Sequence, residues 1–162
     1  MKTTVATLAL IVLDGKLLLG RKIKKGADIG EQTLNGPGGK LEQGQTLFEC
    51  LATEVKDEVG LTILEEDTEE IAIVTFHNGE SSIFRVHVYL VFAFTGEPRD
   101  SDEMVKPEGG WWYRFDALPF DQMLASDHHW IPRALLGLHF RAHVYQNENG
   151  TTLLKPVEFL VY

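Results

Sequence analysis

At 162 residues the chain has the length of one domain with its own core and is short for two, so a single domain over residues 1–162 is expected. Hydrophobic residues make up 44% and charged residues 24%, the balance of an ordinary globular chain, which excludes the disordered and membrane-embedded classes. The formal net charge of −9 argues against a nucleic-acid polymer or a membrane as partner, because binders of phosphate backbones draw affinity from Lys and Arg, whereas a small anion bridged by a metal ion suits an acidic site.

Lys2 and the apolar run Val5 to Leu13 have the outline of a secretory leader, but no small-residue cleavage pattern follows. The run reads instead as a first strand. Leu8 to Leu13, the turn dipeptide Asp14-Gly15, and Lys16 to Leu19 make a hairpin pattern. The basic residues Arg21, Lys22, Lys24 and Lys25 come next, then the loop Gly36-Pro37-Gly38-Gly39. A helix follows: Thr46 and Glu49 form a capping box, Leu47, Phe48, Leu51, Val55 and Val59 recur at helical spacing, and Gly60 supplies the stop.

From Ile71 the pattern changes to strand. Ser82 to Phe94 alternates, with Val86, Val88, Leu90, Phe92 and Phe94 on one face and Arg85, His87 and Tyr89 on the other. The polar, acidic stretch from Gly96 to Gly110 reads as a long loop, and Trp111 to Phe115 as a short aromatic strand. Of the two tryptophans, one is expected in the core and the other toward a pocket or solvent. Asp127 to Leu138 reads as a second helix, with Pro132 required in its first turn. A turn near Asn147 to Gly150 closes a last hairpin. This order predicts a mixed sheet with helices packed on it, an α/β or α+β layered domain. The one cysteine, Cys50, excludes an intramolecular disulfide and fits a reducing, cytoplasmic location.

The chemistry concentrates between Gly38 and Leu61, where a glycine loop runs into a helix carrying Glu54, Asp57 and Glu58. At i, i+3 and i+4 these carboxylates share one side of the helix and repel one another. Glu58 also falls near the apolar stripe, where an unpaired charge is expensive. A hard cation turns that cost into binding, and magnesium takes such an all-oxygen set while keeping waters and bridging to phosphates.

The stretch Gly39-x5-Gln45-x7-Thr53-Glu54-Val55-x-Asp57-Glu58-x-Gly60-Leu61 resembles the Nudix box, whose usual form is Gly-x5-Glu-x7-Arg-Glu-(apolar)-x-Glu-Glu-x-Gly-(apolar). The resemblance implies a Nudix α/β/α sandwich with a mixed sheet, a Mg2+ or Mn2+ site, and hydrolysis of a nucleoside diphosphate linked to another group. It implies that Glu54, Asp57 and Glu58 are catalytic and hold the metal with Gly38 and Gly39. Three positions depart from the pattern: Gln45 replaces Glu, Thr53 replaces Arg, and Asp57 replaces Glu. In the family the first two pair to brace the loop, so their joint loss leaves no orphaned charge, and a neutral Gln45–Thr53 contact is expected in its place.

Further stretches, among them Leu34 to Lys40, Val86-His87-Val88, Ser101 to Met104 and Leu118-Pro119-Phe120, are similar to the branch that hydrolyses oxidised purine nucleoside triphosphates such as 8-oxo-dGTP. That similarity implies Glu103 as a further metal carboxylate, Asn35 reading the purine, and Thr7, Leu8, Leu124, Ser126 and Asp127 around the base. Ser126 and Leu124 replace an aspartate and a tryptophan of that branch. Lys22 and Lys40 are candidates for phosphate contact. The expected partner is a small nucleoside triphosphate, in a monomer or a homodimer. Two alternatives stay open: a degenerate box that binds a nucleotide without cleaving it, and a hydrolase of another nucleoside diphosphate derivative.

Overall fold

The computed structural model describes residues 2–23 and 32–161; the candidate basic residues Lys24 and Lys25 lie outside the described residues. The chain begins with strand β1 (Thr3–Leu13), which turns through Asp14 and Gly15, both at positive φ, into β2 (Lys16–Leu18). This is the expected hairpin. Short strands β3 (Gly20–Lys22), β4 (Leu34–Asn35) and β5 (Gly38–Lys40) lead to helix α1 (Leu47–Val59). Strands β6 (Thr68–Asn78) and β7 (Ser82–Val91) form a long antiparallel hairpin. Then come β8 (Met104–Val105), β9 (Trp112–Arg114), helix α2 (Asp127–Leu135), β10 (Phe140–Gln146) and β11 (Glu158–Val161).

Among the described residues the main sheet runs β11-β10-β6-β7-β1-β2-β9, with β5 on the edge of β1 that β2 leaves open. It is mixed: β1 is parallel to β7, β6 is parallel to β10, and the remaining pairs are antiparallel. Alternation along β1 builds two cores. Leu10 faces the cluster containing Trp130, Ile131 and Ala134 of α2, while Ala9 and Ile11 face Leu51, Val55 and Val59 of α1. One helix therefore covers each face, and the molecule is an α/β/α sandwich.

The structure corrects three local expectations. The apolar alternation of β7 stops at Val91, because its antiparallel partner β6 begins at Thr68, opposite Val91; Phe92 donates its N–H to the Asp67 carbonyl and its side chain is exposed. Phe94 instead stacks on Trp112 and packs against the α1-side core, as Trp111 does. The 96–110 segment contains β8, which pairs with β3. Pro132 sits beyond the first turn of α2, and the helix tolerates it at the loss of one backbone bond, ending soon after, at Leu135.

Candidate active site

Helix α1 starts where the sequence requires. Thr46 Oγ1 accepts from the Glu49 N–H at 3.1 Å, and Glu49 Oε1 accepts from the Thr46 N–H at 2.8 Å. Gly60, at φ 77°, ends the helix in the left-handed conformation. With both ends fixed, Leu51, Val55 and Val59 face the core, and Glu58 is carried inward beside them with 4% exposure.

The glycine loop lies directly against this acid. Gly38 donates its N–H to Glu58 Oε1 at 3.0 Å. A Cβ on Gly38 would come within 2.1 Å of the Thr7 carbonyl oxygen, and one on Gly39 within 2.5 Å of Glu54 Cδ. No residue but glycine lets the β5 backbone pass between β1 and the Glu54 side chain.

Glu54, Glu58 and Glu103 each offer a carboxylate oxygen, and the three lie within 4.8 Å of one another. Helix α1 supplies two of them, and the loop preceding β8 supplies the third. Burial is the largest influence on Glu58, pushing its carboxyl up to about 8; the Gly38 N–H pulls it down, and Glu103 and Glu54 push it further up. A site that holds three acids together, one of them reluctant to ionise, is built for a cation. All donors are oxygens, which fits a hard divalent ion.

Asp57 is not brought into this group. Its side chain is exposed, while Glu58, one residue on, is buried. Adjacent helical residues point about 100° apart, so Glu58 turns to the sheet and Asp57 turns away. The expected brace between Gln45 and Thr53 does not take the Gln45 carbonyl: that oxygen accepts from the Glu42 N–H at 3.0 Å, within its own loop, and Thr53 is exposed.

The carboxylates open into a cavity of about 300 Å³ that runs between the sheet and α2. Glu54, Glu58, Gly38, Gly39 and Lys40 line one part, and Leu8, Asn35, Leu124 and Asp127 line it together with Phe76, Phe84, Val86, Met104, Met123, Trp130 and Ile131. Lys22 and Thr7 also border it. The Thr7 hydroxyl, however, lies 3.4 Å from Cys50 Sγ and is directed at α1. Burial raises the Cys50 thiol, which contacts the Gly39 and Lys40 carbonyls at 3.5 Å and is a small interior side chain.

Asn35 is oriented by donating from Nδ2 to Thr33 Oγ1 at 2.7 Å. Asp127 is buried, and desolvation pushes its carboxyl up to about 7 against a bond from the Leu124 N–H at 3.1 Å. The neighbouring Trp130 Nε1–H lowers it as well, though without hydrogen-bond geometry. Ser126, expected beside the base, is fully buried and not part of the cavity wall. Its place just before α2 points it into the protein rather than the cavity.

Phe76, Phe84, Met104 and Met123 also line the cavity, and sequence reasoning does not single them out. Their signal in the sequence is that of core positions, since an apolar cavity wall and an apolar core have the same pattern.

The family model described as the NUDIX domain matches residues 2–134. The oxidized purine nucleoside triphosphate hydrolase of Danio rerio is 38% identical over 130 residues, covering 80% of this chain and 78% of that protein. The protein of the same description from Mus musculus is 29% identical over 148 residues, covering 91% and 89%. Among solved structures, a MutT protein from Bacillus halodurans aligns with a TM-score of 0.71 at 19% identity, covering 96% of this chain and 97% of that one, a likeness of fold. A MutT NUDIX hydrolase from Burkholderia pseudomallei aligns at 0.63 with 25% identity, covering 74% and 88%. The glycine loop on a carboxylate helix and the match that spans both lead to one conclusion: the chain belongs to the NUDIX domain family.

Proposed function

We propose that the protein is a magnesium-dependent nucleoside triphosphate pyrophosphohydrolase that acts on purine nucleotides, oxidised purines such as 8-oxo-dGTP among them. The observation that carries this reading is one cavity joining the Glu54 and Glu58 carboxylates to a largely apolar compartment that carries Asn35 and Asp127. Phosphates belong at the first end and a flat heterocycle at the second. The names of the fish and mouse relatives agree with this assignment.

In this reading Glu54, Glu58 and Glu103, with the Gly38 and Gly39 backbone, hold Mg2+, or Mn2+ in its place. When bound, the ion neutralises the phosphates and polarises the phosphorus that is attacked. The protein's own residues do the positioning. Lys40 and Lys22 contact the phosphate oxygens, and Gly38 fixes the Glu58 carboxylate through its N–H. Leu8 and Leu124 pack on the base, while Asn35 and Asp127 read its edge. A water oxygen bonds to the α or β phosphorus and loses its proton to solvent, the bond from that phosphorus to the α–β bridging oxygen breaks, and nucleoside monophosphate and pyrophosphate leave. Such transfers depend on positioning and charge rather than covalent help.

Glu58→Gln keeps size and shape and deletes the charge, so turnover is expected to fall by at least about a hundredfold with an unchanged circular dichroism spectrum. Wild-type turnover in that variant would remove Glu58 from the mechanism.

A second reading is a domain that binds the nucleotide without cleaving it. The exposed position of Asp57 favours it, because a family metal position is then unfilled.

A further inference from the structure

Eight large apolar side chains are exposed among the described residues, and seven of them stand at one end of the sandwich; Leu154, whose N–H bonds to Tyr145 late in β10, is at the other. Strand direction explains the grouping. β1 and β7 are parallel and finish at this end, where Leu13 closes β1 and Phe92 follows β7. β6 and β10 run the opposite way and start there, so Leu64 ahead of β6 and Leu136 and Leu138 ahead of β10 join them. Leu160 of β11 lies opposite Arg141 near the start of β10, and Phe115 follows β9 and donates its N–H to Gly15 in the β1–β2 turn. Neighbouring strands are about 4.8 Å apart, so these groups form a band across the end of the sheet rather than isolated spots.

The middle of the band is acidic. Between Leu64 and Ile71 come Glu65, Glu66, Asp67, Glu69 and Glu70, all exposed except the half-buried Asp67. Bases here are fewer: Lys16, Arg141, and Arg114, which is already paired with Asp116. β10 pairs with β6 only from Ala72 onward, and β6 carries a bulge between Glu70 and Ala72. A cleft lined by Glu70, Ile71, Ala72, Ile73 and His139 lies at that bulge.

We propose that this end of the sandwich is a docking surface for a basic amphipathic segment of a partner protein. The segment sets its apolar side chains on the leucine and phenylalanine band, and one lysine or arginine enters the cleft, its stem against Ile73 and its cation at Glu70. Glu70 holds His87 and Glu69 holds His139, but a carboxylate has about four acceptor sites, which leaves room for an incoming cation. The acids decide which occupant fits. A second copy of the chain would set carboxylates against carboxylates, and a phosphate backbone or an anionic membrane would meet the same repulsion. None of the band residues lines the active-site cavity, so the docked segment and a substrate do not compete for the same side chains.

The probe is a fluorescently labelled amphipathic helical peptide of leucine and lysine, titrated with the full chain and read by anisotropy. The chain is expected to bind it. Phe92→Ser combined with Leu138→Ser changes no charge and is expected to weaken binding by at least about tenfold. Glu69→Gln combined with Glu70→Gln is expected to weaken it similarly and to flatten its salt dependence. Leu154→Ser, at the far end, is expected to bind as the wild type does. A wild-type chain that does not bind the peptide, a Phe92→Ser, Leu138→Ser chain that binds it unchanged, or an equal loss in Leu154→Ser overturns the proposal. On the wild-type protein, amide resonances of residues 64–71 and 136–139 are expected to shift as peptide is added, and shifts confined to other residues overturn it without reference to any variant. A dimer of the free chain that Phe92→Ser dissociates also overturns it, because a second copy then covers this end.

Discussion

Glu58 is the residue on which the account turns. Its carboxyl holds a proton up to about pH 8 because burial, Glu103 and Glu54 all disfavour the charge, against one backbone N–H that favours it. The folded pKa lies above the ordinary 4.5, so the folded protein binds this proton more tightly than the unfolded one. Metal-free stability is therefore expected to fall as the pH rises from that ordinary value to about 8. A cation reverses the preference and must displace the proton. Magnesium binding at pH 7 is thus expected to release protons, measured as a dependence of the calorimetric heat on buffer ionisation, and to tighten with pH until about 8. Proton release that persists in Glu58→Gln would place the titrating group elsewhere. Asp127 is a second raised acid, at about 7, but in the apolar compartment, and under the proposed function its protonation state sets whether it donates to or accepts from a base edge.

Helix α1 and the glycine loop act as one element. The capping box, the Gly60 stop and the inward turn of Glu58 are all legible in the sequence, because each rests on local spacing. The outcome for Asp57 was not legible to the same degree. Spacing places three acids on one side of a helix, but only packing decides which edge of that side meets the loop, and here Glu58 takes it while Asp57 is left exposed. Likewise Gln45 satisfies a backbone N–H nearby rather than reach the helix. Asp57→Glu lengthens this exposed side chain by one methylene and so extends its reach around the helix from the side that turns away. It is expected to tighten Mg2+ binding and raise turnover severalfold in a steady-state assay. Tighter binding with no turnover in either form would favour the non-catalytic reading.

At the scale of the whole molecule, the sandwich follows from residues that alternate on β1 and bury opposite faces against α1 and α2. That layering, and the mixed character of the sheet, could be read from the order of elements. The cavity could not, because Phe76, Phe84, Met104 and Met123 come together from separate elements and look like core in one dimension. No helix among the described residues is long and apolar enough to cross a membrane. What the assembled molecule offers is a largely apolar cavity that carries Asp127 and Asn35 and is joined to a carboxylate site. The most direct test is pyrophosphate release by the purified protein with Mg2+, across the normal nucleoside triphosphates, 8-oxo-dGTP and 2-hydroxy-dATP. Release is expected from purine substrates, with the oxidised forms turned over fastest. A folded sample that binds Mg2+ and releases pyrophosphate from none of them would contradict it.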